Sequence, residues 1–344
     1  MKTGRDLREV LTELKRQQEA KRDYISPASS LSLAPDGRTF SLAEKEFFTT
    51  DLFHRQVASS LNIPAKYYGL MQVEKPELLA ENVNSWFVDR EQNYMVRTMD
   101  GTARALLSDR YRRIDNLEVA GAVLPLFAGV SGMNVMSCEV TAHKLYLKVV
   151  DTRREARCVG DAVQFGVVVS NSEVGLGAVS VQPLVYTLKC LNGMVINSFG
   201  ERKTHVGRAA KGLEDYGVLS DEAAEAEDKA FLLKLRDVVT ATFDEAKQGM
   251  ILSSLEEAAG AKITGRVMDV VELTGKEYGL NQGEQDGVLQ YLIEGGDLSL
   301  YGLSNAVTRY SQDVESYDRA TALEGLGWQI ATMGKNKWKE INDV

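Results

Sequence analysis

The feature that most constrains the fold is a two-residue turn, Asp100 and Gly101, between two alternating segments. Asp-Gly is a preferred pair for a type I′ turn, which joins two antiparallel strands. With this turn Met99 pairs with Thr102, and Arg97 lies opposite Arg104. The sequence therefore predicts a β-hairpin over residues 94–107. Its predicted apolar face carries Tyr94, Val96, Ala103, Ala105 and Leu107.

Strand patterns continue beyond the hairpin. Residues 141–150 alternate, with Lys144, Tyr146 and Lys148 on one side and apolar residues on the other. Apolar segments over residues 163–169 and 179–188 predict two further strands. The glycine-rich sequence SNSEVGLGAVS joins these two segments and is expected to form a connection.

Helical patterns flank these strands on both sides. Residues 4–21 have the spacing of an amphipathic helix. Residues 50–88 indicate three short helices: Thr50 can cap the first, and Pro64 and Pro76 stand at the starts of the second and third. The last third of the chain has apolar stripes at helical spacing. We therefore predict an α+β fold with a central antiparallel-rich sheet, flanked by an N-terminal helical block and a C-terminal helical region. The predicted divisions are a helical arm (1–35), an α+β core domain (36–212) and a helical region (213–344).

Composition limits the classes of function. No apolar segment approaches the ~18 residues that a membrane span needs, and the charged N-terminus has no signal-peptide core. We expect a cytoplasmic protein without a membrane partner. The three cysteines and three histidines are widely scattered, so we expect no disulfide framework, no metal site built on these residues and no cofactor. No catalytic residues are predicted.

Arginine is concentrated between Arg90 and Arg113, where six arginines and no lysine occur in a chain of net charge -9. Arginine forks match phosphate geometry, and an aromatic ring can stack on a base. The run thus fits a groove for single-stranded nucleic acid. It also fits a salt-bridged subunit interface, because Asp109 and Asp115 flank it. A plainer alternative is that the Arg97 and Arg104 guanidiniums point into water or pair with Glu91, Asp109 or Asp115. The run's expected contact residues are Arg97, Arg104, Arg110, Tyr111, Arg112 and Arg113.

The basic side of residues 141–150 would extend this surface. Lys144, Tyr146 and Lys148 add two cations and a ring, provided that their strand lies beside the hairpin in the same sheet. If this side instead packs under the C-terminal helices, it supports no nucleic-acid site.

An enzyme is a third interpretation with less support. Glu173, Gly175 and Gly177 could cradle a phosphate, although their spacing matches neither GxGxxG nor a P-loop. Carboxylates such as Asp109, Asp115, Asp151 and Asp161 leave open a magnesium site. No feature of the sequence selects one of them.

Several sequence blocks resemble a prokaryotic domain-of-unknown-function family, often called phage/plasmid-like proteins. The resemblance extends from about Gly37 to about Trp328 and depends mainly on RALLSDRYRRIDN and KCLNGM. It implies an origin in mobile genetic elements, where single-strand binding and annealing proteins are common. The family has no agreed activity, so the resemblance supplies no catalytic residues.

The leading hypothesis is a homo-oligomeric protein that binds single-stranded nucleic acid, with DNA expected. Its role would be strand protection or annealing in phage or plasmid replication and recombination. The alternative is a non-catalytic interaction or assembly protein of a mobile element, in which the arginine run forms a subunit interface. A metal-dependent nucleic-acid enzyme is the third hypothesis.

Overall fold

The computed structural model describes residues 1–111, 113–177, 179–197, 201–203 and 221–343. These residues form an α+β fold with helices on both sides of the strand-rich middle, which confirms the predicted fold class. The strands are divided between two sheets. The predicted domain boundaries at residues 35 and 212 stay predictions.

The first sheet comes from the N-terminal part of the chain. Its strand order is β1-β5-β6-β4-β3-β2, and only the contact between β4 and β6 is parallel. The six strands are β1 (Arg22–Pro27), β2 (Leu31–Leu33), β3 (Thr39–Leu42), β4 (Lys45–Thr49), β5 (Asn93–Met99) and β6 (Thr102–Ser108).

The second sheet is antiparallel and comes from the middle of the chain. Its order is β11-β10-β9-β8-β7, with β12 also paired to β10. The strands are β7 (Met133–Val140), β8 (Leu145–Cys158), β9 (Asp161–Asn171), β10 (Val179–Thr187), β11 (Asn192–Val195) and β12 (Glu201–Lys203). The strands predicted near residues 163–169 and 179–188 are thus confirmed as β9 and β10.

The described helices surround the two sheets. A short 3-10 helix, Ala28–Ser30, links β1 to β2. The α-helices are α1 (Leu7–Ala20), α2 (Asp51–Ser60), α3 (Ala65–Glu74), α4 (Pro76–Val88), α5 (Asn116–Ala128), α6 (Asp221–Ala241), α7 (Glu245–Gly260), α8 (Val267–Tyr278), α9 (Gln282–Gly295), α10 (Leu300–Tyr310), α11 (Tyr317–Ala331) and α12 (Lys335–Asn342).

The hairpin prediction is confirmed at its turn and wrong in its register. Asp100 and Gly101 have φ of 52° and 74°, as a type I′ turn requires, and Met99 lies opposite Thr102. Arg97, however, lies opposite Ala105, because β6 contains an extra residue at Arg104. This bulge also divides the predicted apolar face. Tyr94, Val96 and Ala103 lie in the core of the first sheet, whereas Ala105 and Leu107 contact Leu52 and Val174.

The three helices predicted over residues 50–88 are confirmed as α2, α3 and α4, and they cover the first sheet. The Thr50 hydroxyl accepts a hydrogen bond from the Phe53 amide at 3.1 Å, and Pro76 occupies the first turn of α4. Buried side chains such as Phe40, Phe53 and Phe87 fill the space between helices and strands. Apolar burial on this scale is the main stabilising term for such a layer.

The second sheet lies between two groups of helices. On one side α1, α5 and α6 share a core with β7, β8 and β9, and α1 buries Val10 and Leu14 there. On the other side α7 to α12 share a core with β8 to β11 around Leu303 and Trp328. A strand in such a position is buried on both faces. That burial decides where the basic residues of β8 lie.

Candidate functional site

The two sheets meet at a glycine-rich connection between β9 and β10, residues 172–177, here called the glycine loop. The Tyr111 hydroxyl donates a hydrogen bond to the Ser172 carbonyl at 3.1 Å and also interacts with the Gly175 amide. Burial raises the pKa of the Tyr111 phenol, so the hydroxyl stays protonated as a donor. Tyr111 thereby attaches the segment after β6 to the glycine loop.

Arg97 lies in the interior beside this loop, with only 3% of its surface exposed. Its guanidinium donates to both carboxylate oxygens of Asp23, at 2.8 and 3.1 Å, and to Asp115 at 3.0 Å. A fourth bond, 2.9 Å long, reaches the Glu173 carbonyl. Burial alone would lower the pKa of Arg97, but the carboxylates of Asp23, Asp115 and Glu173 outweigh it and raise the pKa. The donors that were expected to contact phosphate are thus used within the chain.

Two further charges complete this group, here called the junction cluster: Lys21, Asp23, Arg97, Asp115 and Glu173. The Lys21 ammonium lies 2.6 Å from Asp115 and 3.4 Å from Glu173. The Glu173 carboxylate accepts the Asn116 amide at 2.7 Å, at the first turn of α5. A carboxylate is favoured at that position because helix N-terminal amides lack partners within the helix. The cluster therefore links β1 and β5 of the first sheet to the glycine loop and α5.

Arg104 lies next to the junction cluster but has weaker contacts. Its guanidinium is 3.6 Å from the Glu173 carboxylate, 3.8 Å from the Met99 sulfur and 3.4 Å from the Ala142 carbonyl. Burial lowers the pKa of Arg104, and the nearby charge of Arg97 adds to that effect while Glu173 opposes it. Arg97 and Arg104 do not form the predicted pair. Each instead faces an acidic residue of the same chain.

Lys148 and Tyr146 are buried under α11. The Lys148 ammonium lies 2.6 Å from the Glu324 carboxylate, and both side chains are 0% exposed. The ammonium also lies 4.6 Å from the centre of the Tyr317 ring, a cation–π distance. The Tyr146 hydroxyl donates to Asp318 at 2.9 Å. The condition for a continuous basic surface is not met, because β8 belongs to the second sheet and this side faces the C-terminal helices.

Three predicted cations lie at the surface around the glycine loop. Arg113 is 56% exposed, and among the described residues its acidic neighbour is Asp23, at 3.8 Å. The Arg110 side chain is exposed, and Lys144 is half-buried with its ammonium beside Gly177. We call Arg110, Arg113 and Lys144 the surface cations, and Arg97, Arg104 and Lys148 the interior cations. Arg112 lies outside the described residues.

The carboxylates considered for a metal are mostly neutralised by bases. Asp115 belongs to the junction cluster, and Asp151 accepts a bidentate contact from Arg153 with both distances 2.8 Å. The described residues contain no group of three or more His, Cys, Asp or Glu side chains arranged to hold a metal ion. Glu173 is 3% exposed and its carboxylate accepts the Asn116 amide, and the Gly175 amide contacts the Tyr111 hydroxyl, so neither residue is directed into a phosphate cradle.

Sequence reasoning considered Asp115 as a partner of Arg97, and the structure shows that contact. It did not find Asp23, Glu173 or Glu324, which lie far from Arg97, Arg104 and Lys148 in sequence. One signal was present: Lys148 stands alone among apolar residues in LYLKVV, and Glu324 stands in TALEGLGWQIA. Isolated charges in apolar segments are expected to be buried with a partner of opposite charge.

Comparison with known proteins gives no match to a family model, a curated protein or a solved structure. The resemblance to phage/plasmid-like proteins therefore stays a prediction. Within the ranges that the structure describes, no helix combines the length and apolar character needed to cross a bilayer.

Proposed function

We propose that this protein binds single-stranded nucleic acid through the surface cations Arg110, Arg113 and Lys144. The observation that supports this proposal is the lack of close acidic partners for these three side chains within the described residues. Arg113 has one at 3.8 Å, and the described residues form no ion pair with Arg110 or Lys144. The expected role is strand protection or annealing in a phage or plasmid module.

The surface cations surround a segment that the fold holds in place. Tyr111 lies between Arg110 and Arg113 and is attached to the glycine loop, while Lys144 lies at the far end of that loop beside Gly177. Phosphates need donors in fixed relative positions, and a single strand adapts its backbone to them. Tyr146 is 4% exposed, so of the two rings considered for stacking only the half-buried Tyr111 retains accessible area.

The small number of expected phosphate contacts gives a quantitative prediction of how affinity depends on salt. Three phosphate contacts on a single strand give a slope of about -2 for the logarithm of affinity against the logarithm of salt concentration. The acidic body of the protein, with net charge -9, would repel the strand elsewhere. Binding is therefore expected to be weak and confined to this region.

The direct test is charge reversal of the three surface cations together, Arg110→Glu, Arg113→Glu and Lys144→Glu. Binding of a fluorescent oligonucleotide at low salt is measured by anisotropy. The matched control is Lys262→Glu, Lys276→Glu and Lys335→Glu, which changes the net charge equally at side chains that are 62%, 63% and 90% exposed.

The proposal predicts that the surface variant loses binding and the control variant retains most of it. Both variants should unfold at the same denaturant concentration as the parent, because exposed charges contribute little to stability. Equal loss in the two variants would mean that only total charge matters. An absence of binding by the parent protein would refute the proposal.

A second candidate is a non-catalytic assembly protein in which the surface cations contact acids of another copy. The exposed Arg110 favours it, because an acidic chain offers many complementary carboxylates. In that case the charge-reversal variant would change its mass in solution, and the parent would bind no oligonucleotide. Light scattering coupled to a sizing column distinguishes the two candidates.

A further inference from the structure

His143 lies in the short loop between β7 and β8, immediately before the surface cation Lys144. This loop contacts the glycine loop, because the Ser172 hydroxyl donates a hydrogen bond to the His143 carbonyl at 2.9 Å. It also lies beside the hairpin, since the Arg104 guanidinium is 3.4 Å from the Ala142 carbonyl. The His143 side chain is 38% exposed. The protein therefore presents an imidazole to solvent beside the glycine loop, next to a surface cation.

Asp318 fixes the orientation of this ring. Its carboxylate lies 3.0 Å from His143 Nδ1 and accepts hydrogen bonds from the Tyr146 hydroxyl at 2.9 Å and the Thr141 hydroxyl at 3.1 and 3.2 Å. An ionised carboxylate can only accept hydrogen bonds, so the proton of the neutral imidazole lies on Nδ1. Nε2 then carries a lone pair, and it has no hydrogen-bond partner within the described part of the chain.

The charged and titratable groups next to His143 come from three elements. Asp318 belongs to α11, Arg104 belongs to β6, and Tyr146 belongs to β8, with Lys144 immediately before that strand. Burial raises the pKa of the Tyr146 phenol, and the charge of Asp318 raises it further, so this hydroxyl stays protonated. Among these types of side chain, imidazole is the one whose charge ordinarily changes between about pH 5 and 8.

We propose that protonated His143 is a further phosphate contact beside the three surface cations, and that it makes nucleic-acid binding depend on pH. The neutral ring offers a phosphate oxygen only the Nε2 lone pair, and two acceptors cannot form a hydrogen bond. Protonation gives Nε2 a hydrogen and the ring a positive charge, which together allow a charge-assisted bond to phosphate. Asp318 accepts from Nδ1 in both states, so the ring keeps its position. This inference rests on the proposed function, because it adds a residue to the same surface.

The test compares three proteins at about pH 5.5 and about pH 8, near the two ends of the range in which imidazole ordinarily changes charge. They are the parent, His143→Gln, which has no charge at this position, and His143→Arg, which is charged at both pH values. Affinity for a fluorescent single-stranded oligonucleotide is measured by anisotropy over a range of salt concentrations. Circular dichroism verifies that each protein is folded.

The parent should bind about tenfold more tightly at the lower pH in low salt, the low end of the effect of a hydrogen bond to a charged group. Its salt slope should change from about -2 for three contacts to about -3 for four. His143→Gln should keep a slope of about -2 at both pH values, and His143→Arg should keep a slope of about -3 at both. If His143 only supported the fold, arginine would not reproduce the binding of the parent at the lower pH.

Three results would overturn this inference and leave the proposed function intact. The first is a parent that binds with equal affinity at the two pH values. The second is a His143→Gln variant that retains the pH dependence of the parent, which would assign that dependence to another group. The third is a His143→Arg variant that binds no more tightly than His143→Gln at the higher pH. A parent that binds no oligonucleotide at either pH would overturn both proposals.

Discussion

Lys144 and Lys148 were predicted to share one face of one strand, yet they lie in opposite environments. Lys148 is fully buried against Glu324, whereas Lys144 is half-buried at the edge of the glycine loop without an ion pair in the described part of the chain. The same division separates Arg97 from Arg113, which is 56% exposed. The sequence pattern indicates on which side of a strand a cation lies, and the packing of distant elements decides whether that side meets water.

The two sets of cations should therefore respond oppositely to substitution. Removal of an interior cation leaves buried acids without a partner, which is costly because charge is poorly solvated inside a protein. Removal of a surface cation leaves no buried acid without a partner, so it should change stability little. Stability measurements therefore test the role of the interior cations, and binding measurements test the role of the surface cations.

The largest effect is expected for Lys148→Met, which leaves the Glu324 carboxylate buried without its partner. We expect a loss of about 3–5 kcal/mol in the free energy of unfolding, measured by chemical denaturation. The double variant Lys148→Met with Glu324→Leu removes both charges and should recover most of that loss. A loss below about 1 kcal/mol in the single variant would place this pair with exposed salt bridges and contradict its interior role.

A smaller loss is expected for Arg97→Met. Asp23 and Asp115 would lose their guanidinium, but they are 12% and 14% exposed and Lys21 remains beside Asp115. We expect about 2–3 kcal/mol, since hydrogen bonds to charged groups contribute on that scale. Arg113→Met is the matched control and should change stability by less than about 0.5 kcal/mol. Equal losses of stability in Arg97→Met and Arg113→Met would contradict the distinction between interior and surface cations.

The pH dependence of stability should show a still smaller contribution from Asp115. Burial alone would raise the pKa of this carboxyl, but Arg97 and Lys21 outweigh burial and hold the pKa below its ordinary value. The folded state therefore binds the proton less readily than the unfolded state. The stabilisation is complete above the ordinary aspartate pKa of about 4 and is lost as pH falls through the lower, folded-state pKa.

Asp115 is the N-cap residue of α5, and Asp115→Asn tests this dependence because asparagine is also a good helix N-cap. Unfolding midpoints of the parent and the variant are compared from neutral to acidic pH. The difference between them should be largest near neutral pH and shrink in acid. A difference that stays constant over this range would show that the charge of Asp115 does not contribute.

Much of the fold could be predicted from local patterns. The Asp100–Gly101 turn, the caps of the helices near residues 50–88 and the apolar segments of β9 and β10 are encoded within a few residues each. The strand register beyond the turn could not be predicted in this way, because a single bulged residue at Arg104 shifts every later pair. The division of strands between two sheets depends on contacts between distant segments.

The candidate site was predictable only in part, for the same reason. The concentration of arginines near the glycine loop was visible in the sequence, and the structure places several of them there. The acids that pair with the interior cations come from β1, the N-cap of α5, the glycine loop and α11. No local pattern connects these segments, although the isolated charges of Lys148 and Glu324 in apolar surroundings were a usable sign.

The central claim is that the surface cations contact nucleic acid while the interior cations maintain the fold. The salt dependence of oligonucleotide affinity tests it most directly, in the parent and in a variant with Arg110→Ala, Arg113→Ala and Lys144→Ala. We predict a parent slope of about -2 that falls close to zero in the folded variant. The claim would be contradicted by a parent without affinity at low salt, or by a slope that the three substitutions leave unchanged.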